Sequence, residues 1–345
     1  MTPEWPESYP DPALVPRLQQ LVWGKATTQC LFVAAKLGIA DLLADGPQTV
    51  DELAAETETS AEALYRVLRL LASLDVFVEL EPRQFGLTPM AELLQADAPC
   101  SFRDYAIVHG SEWYNRAWAH LLYSVEKNEP AFDLACGLSL FDFMEQNPDA
   151  ATDFNNSMTA LSRFEAAGVC AAYDFSDCKK VVDVGGGHGR LLTEVLAAYP
   201  ALDGVLYDRP NVVDAARAEL EASEFGSRCR VDGGDFFTGV PAGGDVYLLK
   251  HIIHDWDDER SAVILRNCRN AMTAGGRVLV IEGVMPPGNE PSNSKLWDVV
   301  MLALTSGGRE RTEEEYAELF AQAGLSLSRV VPTHAVVSIV EGTAA

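Results

Sequence analysis

Two histidines three residues apart, His251 and His254, stand in Leu248-Leu-Lys-His-Ile-Ile-His-Asp-Trp-Asp-Asp-Glu259. Imidazole titrates near neutral pH, so a histidine just past a strand end is suited to act as a general base. The pair also invites a metal. H-E-x-x-H is absent, however, and no third ligand stands at a recognisable spacing, so no metal is expected. A second chemical stretch is Val181-Val-Asp-Val-Gly-Gly-Gly-His-Gly-Arg190, followed by a helical pattern at Leu191, Leu192, Val195 and Leu196. An apolar run that ends in clustered glycine and opens a helix reads as strand, tight turn and helix N-terminus. Glycine lets backbone N–H groups approach a ligand there, and a helix start favours negative charge.

The dinucleotide fingerprint G-x-G-x-x-G needs a small third position, but counting from Gly185 or Gly187 gives Arg190 or Leu192. The spacing fits D-x-G-x-G-x-G instead: Asp183, Gly185, Gly187, Gly189. An acid before the turn would repel a pyrophosphate and suits a ligand with a positive amino group. S-adenosylmethionine carries such an amine and no phosphate. Asp208, 23 residues after Gly185, is placed to accept ribose hydroxyls; a helix cap is the alternative. Asp235 can accept from an adenine amino group while Phe236 covers the ring. The alternative there is an Asx turn beside a buried aromatic.

These residues need elements to hold them. From Lys179 onward strand patterns (181–184, 205–207, 229–232, 246–249, 278–281) alternate with helical ones (191–199, 212–222, 260–272). Repeated βα units predict an α/β fold, a doubly wound and mainly parallel sheet that binds ligands beyond its strand carboxyl ends. A helix over 313–323 and strands over 325–331 and 335–340 complete it. Upstream, a helical pattern runs from about Leu14 to Leu43. A helix from Asp51, a second over 61–74, and a hairpin from Val76–Leu80 and Gln84–Leu87 then describe a winged-helix unit. Residues 101–172 read as mostly helical and rich in aromatics, 173–178 as a linker, and 1–13 as a disordered tail.

Length and composition set bounds. At 345 residues the chain suffices for two cores. Its formal net charge of −25 opposes nucleic acid and anionic membranes as partners. Residues 1–100 hold six Lys/Arg against fifteen Asp/Glu, which turns the winged-helix unit from DNA toward a scaffold or dimerisation role. Seven cysteines without a C-x-x-C pair point to reduced thiols. No signal-peptide pattern and no apolar run of about 18 residues is present. A cytoplasmic protein with no membrane span is expected.

Taken together, Asp183-x-Gly-x-Gly-x-Gly, Gly-Asp235-Phe-Phe, Lys250-His-x-x-His254-Asp-Trp and Gly307-Gly-Arg-Glu310-Arg-Thr resemble the small-molecule O-methyltransferases typified by plant caffeic-acid O-methyltransferase. They look closer still to bacterial natural-product members such as mitomycin O-methyltransferase. The resemblance implies a Rossmann-like class I methyltransferase domain from about residue 173, S-adenosylmethionine as cofactor, and a homodimer joined through the winged-helix-like region of 14–100. It implies His254 as the catalytic base, flanked by Glu282 and Glu310. Cofactor contacts would fall on Gly185, Asp208, Asp235, Phe236 and Lys250, and a small aromatic substrate on Phe154, Met158, Met301 and Thr305. The implied reaction is methylation of a phenolic hydroxyl. An N-methyltransferase, or a non-methylating relative that performs hydroxylation or pericyclic rearrangement, is the alternative. If the acidic N-terminal region serves no nucleic acid, random-sequence duplex DNA should show no salt-sensitive mobility shift at micromolar protein.

Overall fold

The computed structural model describes residues 11–345. The first ten residues of the expected tail lie outside the described residues. Two compact units form: one from Met1–Asn115 and Asp149–Ala160, the other from Arg116–Pro148 and Leu161–Ala345.

In the first unit the helical pattern of 14–43 divides into α1 (Leu14–Val22), α2 (Gly24–Lys36) and α3 (Ile39–Leu42). Gly38 at φ 66° caps α2 in the left-handed region and redirects the chain. Next come β1 (Gln48–Thr49), α4 (Val50–Glu56), α5 (Ala61–Ala72), β2 (Phe77–Glu81), β3 (Gln84–Leu87), α6 (Pro89–Glu92) and α7 (Arg103–Gly110). Thr49 and Glu52 form a capping box on α4, and Ser60 caps α5. The expected hairpin is present, but β1 pairs with β3 and makes a three-stranded sheet. Leu53, Leu64, Leu68, Leu71, Phe77 and Phe85 bury its apolar faces.

The helices α8 (Glu112–Ala119), α9 (Leu121–Lys127), α10 (Ala131–Cys136), α11 (Leu140–Gln146) and α12 (Pro148–Ala172) follow. The second unit then alternates strand and helix: β4 (Lys180–Val184), α13 (Arg190–Ala198), β5 (Asp203–Asp208), α14 (Pro210–Ala222), β6 (Cys229–Gly233), β7 (Val246–Lys250), α15 (Asp258–Ala271) and β8 (Arg277–Glu282). It ends with α16 (Asn293–Leu304), α17 (Glu313–Ala323), β9 (Leu325–Pro332) and β10 (Ser338–Ala344). Each of the five expected central strands lies within two residues of its pattern; β7 and β8, buried on both faces, read as continuous apolar runs, whereas β6 alternates. The final strand begins three residues later than its pattern, at Ser338. Thr333 bonds both Ala335 and Val337 and folds that stretch into a turn. No helix joins β6 to β7; residues 234–245 cross as a loop.

The sheet order is β6-β5-β4-β7-β8-β10-β9, parallel through β8 and antiparallel at β10 and β9. Strand order reverses between β4 and β7, so the crevice for a ligand lies past their carboxyl ends. The glycine turn follows the first of these strands and the histidine segment follows the second. Phe320 on α17 is fully buried beneath β7, β8 and β10, among Leu249, Val280 and Val340. Phe320→Ala should destabilise the protein by about 3–5 kcal/mol, read as a lowered denaturation midpoint at unchanged slope.

Candidate active site

Three backbone N–H groups converge on one carboxylate oxygen. Ile252, Ile253 and His254 donate to Glu282 Oε1 at 3.0, 2.6 and 3.2 Å. Tyr316 donates its hydroxyl to Glu282 Oε2 at 2.7 Å. Glu282 is fully buried at the end of β8, and those donors replace the water it lost. It therefore holds the backbone of the histidine loop. Its hydrogen bonds reach the main chain of His254 and not the ring.

The ring of His254 belongs to Glu310: Nδ1 lies 2.8 Å from Glu310 Oε1. A carboxylate can only accept, so Nδ1 carries the hydrogen and the neutral ring presents Nε2 as its basic nitrogen. The nearest acid to Nε2, Asp255 Oδ1, stands 3.8 Å away, beyond hydrogen-bonding reach. Burial pulls the imidazole down, but the Glu310 hydrogen bond and the charges of Glu282, Asp255 and Glu310 outweigh it and raise it to about 9. Asp255 lies beside the ring, where burial raises its carboxyl to about 6 against the pull of His254. Asp257 is the residue that caps α15, accepting from Arg260 N at 2.8 Å.

The Gly307–Arg311 segment locks onto the same loop. Arg309 N donates to His254 O at 2.8 Å. Arg311, fully buried, donates to Ile253 O at 3.1 Å, Trp256 O at 2.8 Å and Asp258 Oδ1 at 2.8 Å. Gly308 has to be glycine: a Cβ there would lie 2.2 Å from Thr305 Oγ1 and 2.6 Å from His254 O.

The cofactor side begins at Gly185, at φ 70°, where a Cβ would meet Ile252 Cδ1 at 2.3 Å. Gly187 N donates to Asp208 Oδ2 at 2.9 Å, and Arg209 N donates to Asp208 Oδ1 at 2.6 Å. A carboxylate has about four acceptor positions, so lone pairs remain for two ribose hydroxyls. Asp235 is exposed and forms the Asx turn, accepting from Phe237 N at 2.8 Å, while Phe236 packs edge-on to Trp256 and reaches the Gly185 turn. Asp183 lies under the turn at 1% exposure, and burial raises its carboxyl to about 7 despite Lys250. The glycine cradle, the free capacity of Asp208 and the flat face of Phe236 all suit an adenosyl group. Lys250 pairs with Glu165 at 3.2 Å.

Met301 is buried on α16 and Thr305 is buried just past its end, where Thr305 Oγ1 donates to Met301 O at 2.9 Å. Thr305 and Glu310 also line a cavity of about 440 Å³ with Met285 and Leu302. Phe154 and Met158, four apart and half-buried on α12, belong to the segment of the first unit. Sequence reasoning missed Glu165, Tyr316, Arg311 and Trp297. Arg311 alone carried a signal, standing one residue after Glu310 in a recognisable motif. Among the described residues no cluster of three or more His, Cys, Asp or Glu is placed to hold a metal, and no helix is long and apolar enough to cross a membrane.

Residues 118–326 match the O-methyltransferase domain family and residues 19–97 the O-methyltransferase dimerisation domain. The phenazine O-methyltransferase PhzM of Lysobacter antibioticus is 48% identical over 94% of this chain and 94% of its own length. The mitomycin biosynthesis 6-O-methyltransferase of Streptomyces lavendulae is 38% identical over 96% of this chain and 95% of its own. A phenazine-1-carboxylate N-methyltransferase of Pseudomonas aeruginosa is 36% identical over 91% of this chain and 92% of its own. Among solved structures, LaPhzM superposes with a TM-score of 0.90 at 48% identity, covering 96% of this chain and 99% of that one. CalO1, solved with S-adenosylhomocysteine bound, gives 0.88 at 40% identity, covering 98% and 100%. The chain belongs to the S-adenosylmethionine-dependent O-methyltransferase family whose relatives serve bacterial natural-product biosynthesis, and it carries that family's dimerisation domain.

Proposed function

We propose that the methyl acceptor is a phenolic hydroxyl of a small aromatic natural-product intermediate and that His254 is the base that deprotonates it. One observation carries this reading: Glu310 fixes the hydrogen on Nδ1 and leaves Nε2 as the ring nitrogen free to take a proton. S-adenosylmethionine, when bound, supplies the methyl group, and its positive charge favours the neutral imidazole. Gly185, Asp208, Asp235, Phe236 and Lys250 are the residues that would hold it. A phenol of pKa about 10 is a poor nucleophile until its proton is removed. His254 takes that proton on Nε2, and Glu310 stabilises the imidazolium that results. Glu282 and Arg311 hold the base in position, which matters because in-line transfer depends on placing the reactants. Met301 and Thr305 line the acceptor's side in this reading, and two copies pair through the dimerisation domain. An amine acceptor is the second reading, supported by the N-methylating relative. The intact His254–Glu310 pair favours oxygen, because an amine needs less help from a base.

His254→Ala should keep S-adenosylmethionine affinity within a few-fold while slowing S-adenosylhomocysteine formation on a phenol by about 10²–10⁴. Unaltered turnover would remove His254 from the mechanism.

The raised His254 also sets a pH dependence. Its folded value of about 9 exceeds the ordinary value of about 6.5. The stability it contributes is therefore complete below about pH 6.5 and fades as pH climbs through about 9. Activity needs the neutral ring, so kcat/KM should rise over the same interval. Glu310→Gln removes the raising charge and should shift that rising limb to lower pH while lowering its plateau. An unmoved limb would assign the ionisation to another group.

A further inference from the structure

Beside the base lies a second buried imidazole. Nε2 of His251 stands 2.9 and 3.0 Å from the two oxygens of Glu165. Glu165 is fully buried on α12, with Lys250 Nζ 3.2 Å from its Oε2. Burial raises that carboxyl, but the Lys250 ammonium and the hydrogen bonds from His251 and Lys250 more than reverse it and hold it below the usual carboxylate range. It is thus a carboxylate and can only accept, so Nε2 of His251 bears the hydrogen. Burial favours the uncharged ring over the pull of Glu165. The neutral tautomer leaves Nδ1 as a bare lone pair, and Nδ1 is buried without a hydrogen-bond partner among the described residues.

The surroundings fix where that lone pair sits. His251 adopts φ 54°, a left-handed backbone that costs energy for a residue with a side chain. Its ring stacks against Trp297 at 5.4 Å and 13°, and against His254 at 5.0 Å and 28°. A strained backbone, a buried carboxylate and an aromatic plate together hold one unpaired acceptor next to the catalytic base. An unpaired buried acceptor is costly unless something donates to it.

We propose that His251 Nδ1 accepts a hydrogen bond from a second donor on the methyl acceptor, a hydroxyl or amino group adjacent to the oxygen that faces His254, with Glu165 as the positioning residue that fixes the tautomer. The preferred acceptors are then vicinal dihydroxy- or aminohydroxyarenes. This rests on the reading of His254 as base toward a hydroxyl. The two ring centroids lie 5.0 Å apart, a separation of the order spanned by two neighbouring substituents of one aromatic ring and their hydrogen bonds.

The test uses the full-length enzyme with a matched pair, 2,3-dihydroxynaphthalene and 2-naphthol. The wild-type enzyme should favour the diol by about 10-fold or more in kcat/KM, since a site built to pair a donor discriminates against the analogue that lacks it. In His251→Phe the preference should collapse to about the statistical factor of two for a diol. In His251→Asn, which tolerates the left-handed backbone and keeps an acceptor, much of the preference should survive. Glu165→Gln, whose amide can donate to Nε2 and move the ring hydrogen to Nδ1, should lower it as well. Equal losses on both acceptors in His251→Phe would overturn the proposal and leave a packing role. A selective loss of S-adenosylmethionine affinity would overturn it too, by giving the lone pair to the cofactor. Wild-type turnover of neither naphthol, with S-adenosylmethionine bound, would count against hydroxyl methylation itself and remove the proposal with it.

Discussion

The site depends on one buried carboxylate. Glu282 accepts from three consecutive backbone N–H groups through one oxygen and from Tyr316 through the other. An ionised group without water is tolerated only when its hydrogen bonds are replaced, and here four donors replace them. The arrangement converts the end of a sheet strand into a mould for the loop that bears His254. The loop makes only a short 3₁₀ turn over Ile253–Asp255. Its conformation is therefore set by Glu282 below and by Arg309 and Arg311 at its side.

That loop also couples the two halves of the chemistry. Ile252, one of the three donors to Glu282, presses its side chain on the glycine turn where any Cβ at Gly185 would strike it. His254, the base in the proposed reaction, stands two residues on. The distance between cofactor turn and base is thus built into one short segment and not left to the packing of separate elements. Placing reactants this way is what a displacement reaction most needs from a protein. Acidic groups around His254 then raise its proton affinity, so the same field charges the ring near neutral pH.

Much of this was legible in the residues. The parallel strands announced themselves because burial on both faces demands continuous apolar runs. The glycine turn was legible because backbone geometry leaves few other residues possible there. His254 and Glu310 stood in compact motifs. The hidden part was what reaches across the fold. Glu165 sits in a helix whose spacing gives no hint that its carboxylate meets Lys250 and His251. Tyr316 looked like one apolar position among several in α17. The job of Glu282 was obscured for a related reason: sequence places an acid near a base but does not show that it grips the main chain. The break of the first long helical pattern at Gly38 was a weak signal, since a lone glycine within such a run is often tolerated.

In the proposed reaction His254 faces the atom that receives the methyl group. A crystal structure with S-adenosylhomocysteine and a methyl acceptor bound tests it most directly. The acceptor oxygen is expected about 2.6–3.2 Å from His254 Nε2, with the cofactor sulfur on the oxygen's far side. An acceptor whose reacting atom is turned away from His254, or is held by a different side chain at that distance, would contradict it.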